Sequence, residues 1–282
     1  MNRIKNSWEL IKASASVLAS DKELLVFPLI SSIGVLIVSL TFFVPLALSG
    51  LLGSMSSKVP GAQLLGFIVL FVFYVFQYFV IIFSNSALVG AALIRLNGGD
   101  PTLGDGFRIA LSHIGSIFGY AVISATVGTL LRMLAERNST LGRLVISLIG
   151  LAWNIATFLV LPILVIEDLG PLDAIKRSVS LLKKTWGEQL AGTIGLSFVF
   201  SLITIGAFVA SVPFIIISLT NQLYWLAIII GILLIFGLSI VGLINGALSG
   251  IFTAAVYRYA VEGETSEYFP AELIQGAFLP RK

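Results

Sequence analysis

The chain has no cysteine and one histidine, His113, among 282 residues. Without cysteine there is no disulfide, no thiolate metal site and no cysteine nucleophile. With a single histidine, a histidine-built metal centre or a Ser-His-Asp triad is excluded as a working assumption. Charge is scarce as well: 11% of residues are Asp, Glu, Lys or Arg, against about 25% in a soluble domain. A formal net charge of +3 is too small for a nucleic-acid surface, so no nucleic-acid partner is expected. Such a chain cannot cover its own surface with polar groups.

What it has in abundance is apolar sequence. Hydrophobic residues make up 57% of the chain and the mean hydropathy is +1.04. Apolar runs cover Leu24 to Leu52, Leu64 to Ile94, Ile114 to Leu131, Leu144 to Ile166, Leu190 to Ser218 and Leu223 to Tyr257. A bilayer core is crossed by about 20 apolar residues, so each run is read as a transmembrane helix. Every charged residue falls outside these runs or at their ends. Several runs exceed the minimum, and tilting, or kinking at Pro28, Pro45 and Pro213, is expected to absorb the excess. The fold class is all-α, a polytopic transmembrane bundle of six spans in a single membrane domain, 1–282.

Lys and Arg set the orientation. Thirteen of the 17 lie in the N-terminal segment, the second and fourth connections and the C-terminal tail, and four lie in the first and third connections. Both termini are therefore expected in the cytoplasm. Residues 1–23 lack the apolar core of a signal peptide, and no cleavage is expected.

The connections also repeat. Ile4-Lys5-Asn6-Ser7-Trp8-Glu9-Leu10-Ile11-Lys12 aligns with Ile175-Lys176-Arg177-Ser178-Val179-Ser180-Leu181-Leu182-Lys183. Apolar stripes at 4, 8, 11 and 15, and at 175, 179, 182 and 186, face basic sides, as in helices lying along a membrane interface. Leu103, Phe107, Ala110 and Ile114 make a weaker third copy. In the even-numbered spans Asn85-x-Ala87-Leu88-x-Gly90 matches Asn245-x-Ala247-Leu248-x-Gly250, with Asn154-Ile155-Ala156 as a partial echo. The spacing predicts three hairpins, each preceded by a cytoplasmic interfacial helix, in units of about 1–98, 99–168 and 169–263, with a short cytoplasmic tail 264–282. Parallel repeats of this kind occur in transporters.

Several stretches resemble an uncharacterised family of six-span bacterial and archaeal membrane proteins. They are Asp21-Lys22-Glu23-Leu24 with Phe27-Pro28, Ala125-Thr126-Val127-Gly128, Trp153 with Ala156-Thr157-Phe158 and Pro162, and Glu167-Asp168 with Gly170-Pro171. They continue in Ala174-Ile175-Lys176-Arg177-Ser178, Lys184-Thr185-Trp186-Gly187-Glu188 and Tyr257-Arg258-Tyr259-Ala260 with Gly263. The resemblance covers nearly the whole chain and implies a prokaryotic cytoplasmic (inner) membrane. Residues 171–178, Pro-x-x-Ala-x-Lys-Arg-Ser, are also similar to the membrane portion of glycerophosphodiester phosphodiesterases, which implies no catalysis in a chain without their soluble domain.

Candidate sites follow from cost. Asn85, Asn154 and Asn245 lie deep in their spans, where a carboxamide facing lipid is unsatisfied. They either bond neighbouring helices or form a shared polar cluster. Gly242, Gly246, Gly250 and Ala254 stand at four-residue spacing, which brings backbones close; the partner is a neighbouring helix or a second copy. Trp8 and Trp186, with Lys5, Lys12, Lys176, Arg177, Lys183 and Lys184, are read as interfacial anchors contacting anionic lipid. Glu167, Asp168 and Asp173 are expected to cap the following helix and pair with Lys176 and Arg177.

The sequence therefore predicts a non-enzymatic protein, without cofactor or metal, that organises membrane lipids or partner proteins. A homo-oligomer or other membrane proteins are the protein partners in view. The alternative is a channel or uncoupled small-solute permease with a polar, uncharged path. An intramembrane enzyme would need a base, nucleophile or metal at depth, and the spans supply none.

Overall fold

A computed structural model describes residues 2–48, 60–137, 140–186, 195–263, 266–270 and 272–274. Helices dominate: α1 (Asn2–Ser20), α2 (Val26–Leu48), α3 (Pro60–Leu96), α4 (Leu103–Ser112), α5 (Ile114–Arg137), α6 (Thr140–Ala156), α7 (Val160–Ile166), α8 (Pro171–Trp186), α9 (Gly195–Thr220) and α10 (Tyr224–Glu262). Among the described residues, six helical segments are long and apolar enough to cross a membrane. They are formed by α2, α3, α5, α6 with α7, α9 and α10.

Local chemistry explains the boundaries. Asp21 ends α1 and opens a 3-10 turn over Lys22–Leu25, its side chain accepting from the Glu23 N–H. Thr102 and Asp105 form a reciprocal capping box at the start of α4, satisfying two backbone donors that the first turn leaves free. Gly263 closes α10 in a left-handed conformation, φ 69°, and its N–H reaches the Tyr259 carbonyl.

α2 and α9 each continue as helix through Pro45 and Pro213, so neither proline breaks its span. Pro28 sits in the first turn of α2, where a missing N–H matters little. The break comes instead in the fourth span, at 157–159 between α6 and α7. Pro162 lacks an N–H, and its ring crowds the carbonyl four residues back, at Phe158.

The short helices 2–20, 103–112 and 171–186 are all present, and α1 and α4 are separated from the spans that follow them. Residues 187–194, between α8 and α9, lie outside the described residues. Each short helix packs on an even-numbered span, and α1 also touches α9. α4 rests on α3, α8 on α7, and α1 on α10. The second, fourth and sixth spans meet one another, through α3 with α7, α3 with α10 and α7 with α10. Pairing of α2 with α3, α5 with α6 and α9 with α10 completes three neighbouring pairs.

Burial is concentrated at the end carrying the short helices, here the basal end. Val17, Leu24, Phe27, Leu88, Ile117, Ile163, Leu164 and Ile251 are core residues there. Away from that core the surface is open: residues 201–210, the middle of α9, are exposed, as are Trp225, Ile232, Ile235 and Phe236 in the distal half of α10. Lipid tails are as apolar as leucine, so nothing hydrophobic drives distal halves together. Close backbone approach and polar bonds hold the basal end. Gly106 is an example: an added Cβ would come within 2.8 Å of the Ala87 carbonyl.

The tail is not loose throughout. Phe269 and Ile274 belong to the basal core, and the Tyr268 hydroxyl lies 3.1 Å from Ser20 Oγ.

Candidate functional site

Three basal helices turn small residues inward. Ala13 and Ser14 of α1, Gly106 and Ala110 of α4, and Ala174 and Ser178 of α8 are buried. The expected stripes are thereby divided. Ile11, Ala110 and Leu182 are buried, while Trp8 and Ile114 are exposed. Large side chains go in beside the small ones, Leu10, Val17 and Leu18 on α1 and Leu181 and Leu182 on α8. The small residues let backbones approach, and Trp8 of α1 and Ile114 at the start of α5 stay outside. Ser178 also works as a bridge: its Oγ accepts from the Leu159 N–H, 3.2 Å, at the break in the fourth span.

Cations line the outside. Lys12, Lys176, Lys183 and Lys184 are exposed, and Lys12 Nζ sits 5.9 Å from the Trp8 ring centre. The side chains of Lys5 and Trp186 lie outside the described residues. Lys176 pairs with Asp173 at 2.9 Å, and Arg177 Nε with Glu167 Oε2 at 2.8 Å. The expected pairing of the acidic group with the following cations is thus seen for both. Asp168 is exposed at φ 49° and lies 3.7 Å from His113 Nε2.

A second layer of bonds, which the sequence reading did not foresee, ties the basal ends together. Tyr257 donates to Glu167 Oε1 at 3.2 Å. Arg258 donates to the Leu96 carbonyl at the end of α3. Arg95 reaches the Ser20 carbonyl at 2.9 Å and Asp100 at 3.0 Å. Glu23 accepts from the Leu103 N–H at the start of α4, 3.1 Å. Arg95 and Arg258, each within a turn or two of the basal end of its span, were the available signal.

Two carboxyls are shifted in opposite directions. Burial pushes Asp21 upward, with the Glu23 N–H and nearby Arg95 partly opposing it. The Thr102 hydroxyl and N–H, and then Arg108, hold Asp105 below the ordinary carboxylate range.

Within the spans, Asn85 on α3 and Asn245 on α10 are half-buried, and Asn154 on α6 is exposed. α3 packs on α10, with Leu88 against Gly250, so Asn85 and Asn245 lie within about 3 Å of the same depth by helical rise. Ser249 Oγ lies 3.5 Å from Asn245 Oδ1. The helix bearing Asn154 packs instead on α5 and α8. No side-chain hydrogen bond joins the three asparagines among the described residues.

The glycine stripe faces inward at its basal half. A Cβ on Gly246 would meet Pro28 at 3.4 Å, and one on Gly250 would strike Leu88, 2.9 Å from its Cγ. Ala254 is fully buried, whereas a Cβ on Gly242 would meet nothing within 4 Å. The close partners of Gly246 and Gly250 are therefore helices of the same chain. No group of three metal-ligating side chains occurs among the described residues.

These features define a multi-pass α-helical membrane protein whose buried core lies at one end. The chain belongs to the family described as Family of unknown function (DUF6159), whose model matches residues 64–267. No curated protein and no solved structure matches it.

Proposed function

We propose that this protein is a non-enzymatic organiser of membrane lipid, with its basal end and both termini in the cytoplasm and anionic lipid gathered at its basal rim. One observation carries the reading: α1 and α8 bury one face in the bundle, with Leu10, Ser14 and Val17 and with Ser178 and Leu182, while Lys12, Lys176, Lys183 and Lys184 are exposed on the other. A lysine near an anionic surface contributes about 1 kcal/mol of attraction, so a few acting together enrich acidic headgroups. The packing of α1, α4 and α8 each on an even-numbered span supports reading the chain as three related units that present this rim around the molecule.

The permease reading draws on Asn85 and Asn245, which stand at matching depth on packed helices. Against it, Leu88, Leu164 and Ile251 fill the basal centre where such a path would run.

The test is lipid selectivity. Full-length protein in bilayers of mixed phosphatidylglycerol and phosphatidylcholine should immobilise spin-labelled phosphatidylglycerol in preference at low salt. Neutralising Lys176, Lys183 and Lys184 to Gln should reduce that preference, as should raised ionic strength. Equal immobilisation of both lipids at low salt would sink the proposal.

A further inference from the structure

We infer that the outer face of α6 is a track along which a phospholipid headgroup crosses the bilayer, so that the protein speeds passive movement of lipid between leaflets. The inference extends the lipid reading above and rests on it for the choice of ligand.

Polar residues on α6 are the first ground. Arg143, Ser147, Gly150 and Asn154 follow at spacings of four, three and four, which places them on one face of a helix. Arg143, Ser147 and Asn154 are exposed. An exposed carboxamide in hydrocarbon is costly unless something polar visits it. Gly150 of this stripe is half-buried, with Leu131 of α5 3.9 Å from where its Cβ would lie, and Arg143, Ser147 and Asn154 beside that contact are exposed to the membrane.

The break in the fourth span is the second ground. It begins three residues after Asn154, at 157–159, and places non-helical backbone inside the bilayer. Such backbone is tolerated where it is buried or lines a polar cavity, and discontinuous helices mark substrate sites in transporters. Leu159 N–H is satisfied by Ser178 of α8. Thr157, at the outer edge of the break, is half-buried.

The third ground is length. The uncharged stretch of α5, Ile114 to Leu131, spans about 26 Å, while Leu64 to Ile94 of α3 spans about 45 Å. Arg132 of α5 fixes the relative height, since its Nη1 donates to the Tyr74 hydroxyl of α3 at 2.5 Å. From Tyr74, α3 continues toward its distal end with Leu64, Leu65, Phe67 and Ile68 exposed, about 15 Å further. Tilt of α3 takes up part of the difference. On this inference the rest is taken up by a dip of the distal leaflet toward Arg132, Glu136 and Arg143, which shortens the crossing beside α6.

Arg143 at the distal end, Ser147 and Asn154 along the way, and Lys183 and Lys184 at the basal end would successively meet a phosphodiester. They offer hydrogen-bond donors and positive charge, with nothing that selects one alcohol headgroup over another. Anionic lipids are favoured by the cations at both ends.

The experiment uses full-length protein in phosphatidylglycerol–phosphatidylcholine vesicles containing tail-labelled fluorescent phosphatidylglycerol, with dithionite added outside. Wild type should render the inner-leaflet probe accessible faster than protein-free vesicles. Asn154→Leu should slow this about tenfold, the effect of one lost hydrogen bond to a charged group, and Ser147→Leu with Asn154→Leu should slow it further. Asn154→Gln should keep the rate, and Ser239→Leu, a polar-to-apolar change on the exposed part of α10, should leave it unchanged. Arg132→Leu with Glu136→Leu, which lengthens the apolar stretch of α5, should slow movement without touching α6. Chromatographic monodispersity and helical content establish that each variant folds. A wild type no faster than empty vesicles overturns the inference, as does Asn154→Leu at the wild-type rate. If Asn154→Leu instead converts a dimer to a monomer at unchanged rate, the polar face serves a second copy and the inference fails. Lipid selectivity of the Lys176, Lys183 and Lys184 variants is read separately, so loss of the track leaves the proposed lipid enrichment standing or falling on its own measurement.

Discussion

Tyr257 and Glu167 meet across 3.2 Å, joining the end of the sixth span to the end of the fourth, and Arg177 Nε holds the other Glu167 oxygen at 2.8 Å. A carboxylate with two donors from two helices fixes those helices in rotation as well as in height. Its neighbour Arg258 reaches the last carbonyl of α3. Two consecutive side chains thereby tie the sixth span to both other spans of the inner set. Where lipid gives no hydrophobic reason for helices to associate, such bonds at the basal end decide the arrangement.

Replacing Tyr257 with Phe removes one donor and keeps the ring. Hydrogen bonds to charged groups contribute about 1.5–3 kcal/mol, so the variant should melt at lower temperature in detergent. Glu167→Gln should cost more, since it weakens the bonds from both Tyr257 and Arg177. A double variant less destabilised than the two singles together would establish the coupling; strict additivity would argue that the pair acts independently.

The glycine stripe yields a graded series. Gly250→Leu forces a side chain into Leu88, and overpacking of this kind costs about 1–3 kcal/mol. Gly246→Ala brings an ordinary van der Waals contact with Pro28, so its effect should be small. Gly242→Leu enters open space and should leave stability and oligomeric state as they are. A Gly242 variant that dissociates an oligomer would reassign the upper stripe to contact between copies.

Acid should act oppositely on the two perturbed aspartates. Asp105 has a lowered folded value, so its stabilisation is complete above the ordinary aspartate range near about pH 4 and disappears as pH falls through the folded value. Asp21 has a raised folded value. Its contribution is present below the ordinary range and is lost as pH rises through that raised value. At pH 7 Asp105→Asn should therefore be less stable than wild type, with the gap closing in acid. Asp21→Asn keeps an acceptor for the Glu23 N–H and removes the buried charge, so it should be no less stable at pH 7. Thermal unfolding of both variants across this pH range decides the matter, and a loss for Asp21→Asn at pH 7 equal to that for Asp105→Asn would contradict the assignment.

The six spans and the three short helices were legible because bilayer thickness and helical period impose strong patterns. Which way each short helix turns was not. Leu10, Val17, Leu181 and Leu182 go inward as they would in water, but Ser14, Gly106 and Ser178 go in with them while Trp8 and Ile114 remain outside, because close approach rewards small residues and lipid tolerates large apolar ones. The break before Pro162 was hidden for a related reason. Several prolines fall in or beside the spans, and those at 45 and 213 leave their helices continuous, whereas the one at 162 has Ser178 nearby to receive the freed Leu159 N–H. The three asparagines looked equivalent by a short motif. Two sit on packed helices, and the third stands exposed on α6, since Asn-x-Ala carries no information about which flank of a helix is covered.

Orientation remains the prediction on which the lipid argument depends most directly. Thirteen of 17 basic residues belong to the N-terminal segment, the two connections on the same side and the tail, and positive connections stay on the cytoplasmic side. The absence of native cysteine makes single replacements clean reporters. Lys58→Cys and Asn138→Cys, at positions outside the described residues, should react with a membrane-impermeant maleimide added to intact cells. Lys184→Cys, on the exposed face of α8, should react only after the membrane is opened, as should Asn6→Cys and Glu264→Cys. Labelling of Lys184→Cys in intact cells would put the lysines of α8 on the outer surface. The rim would then face a leaflet without the negative potential that gives those lysines their attraction for lipid, and the proposed enrichment of anionic headgroups would lose its physical basis.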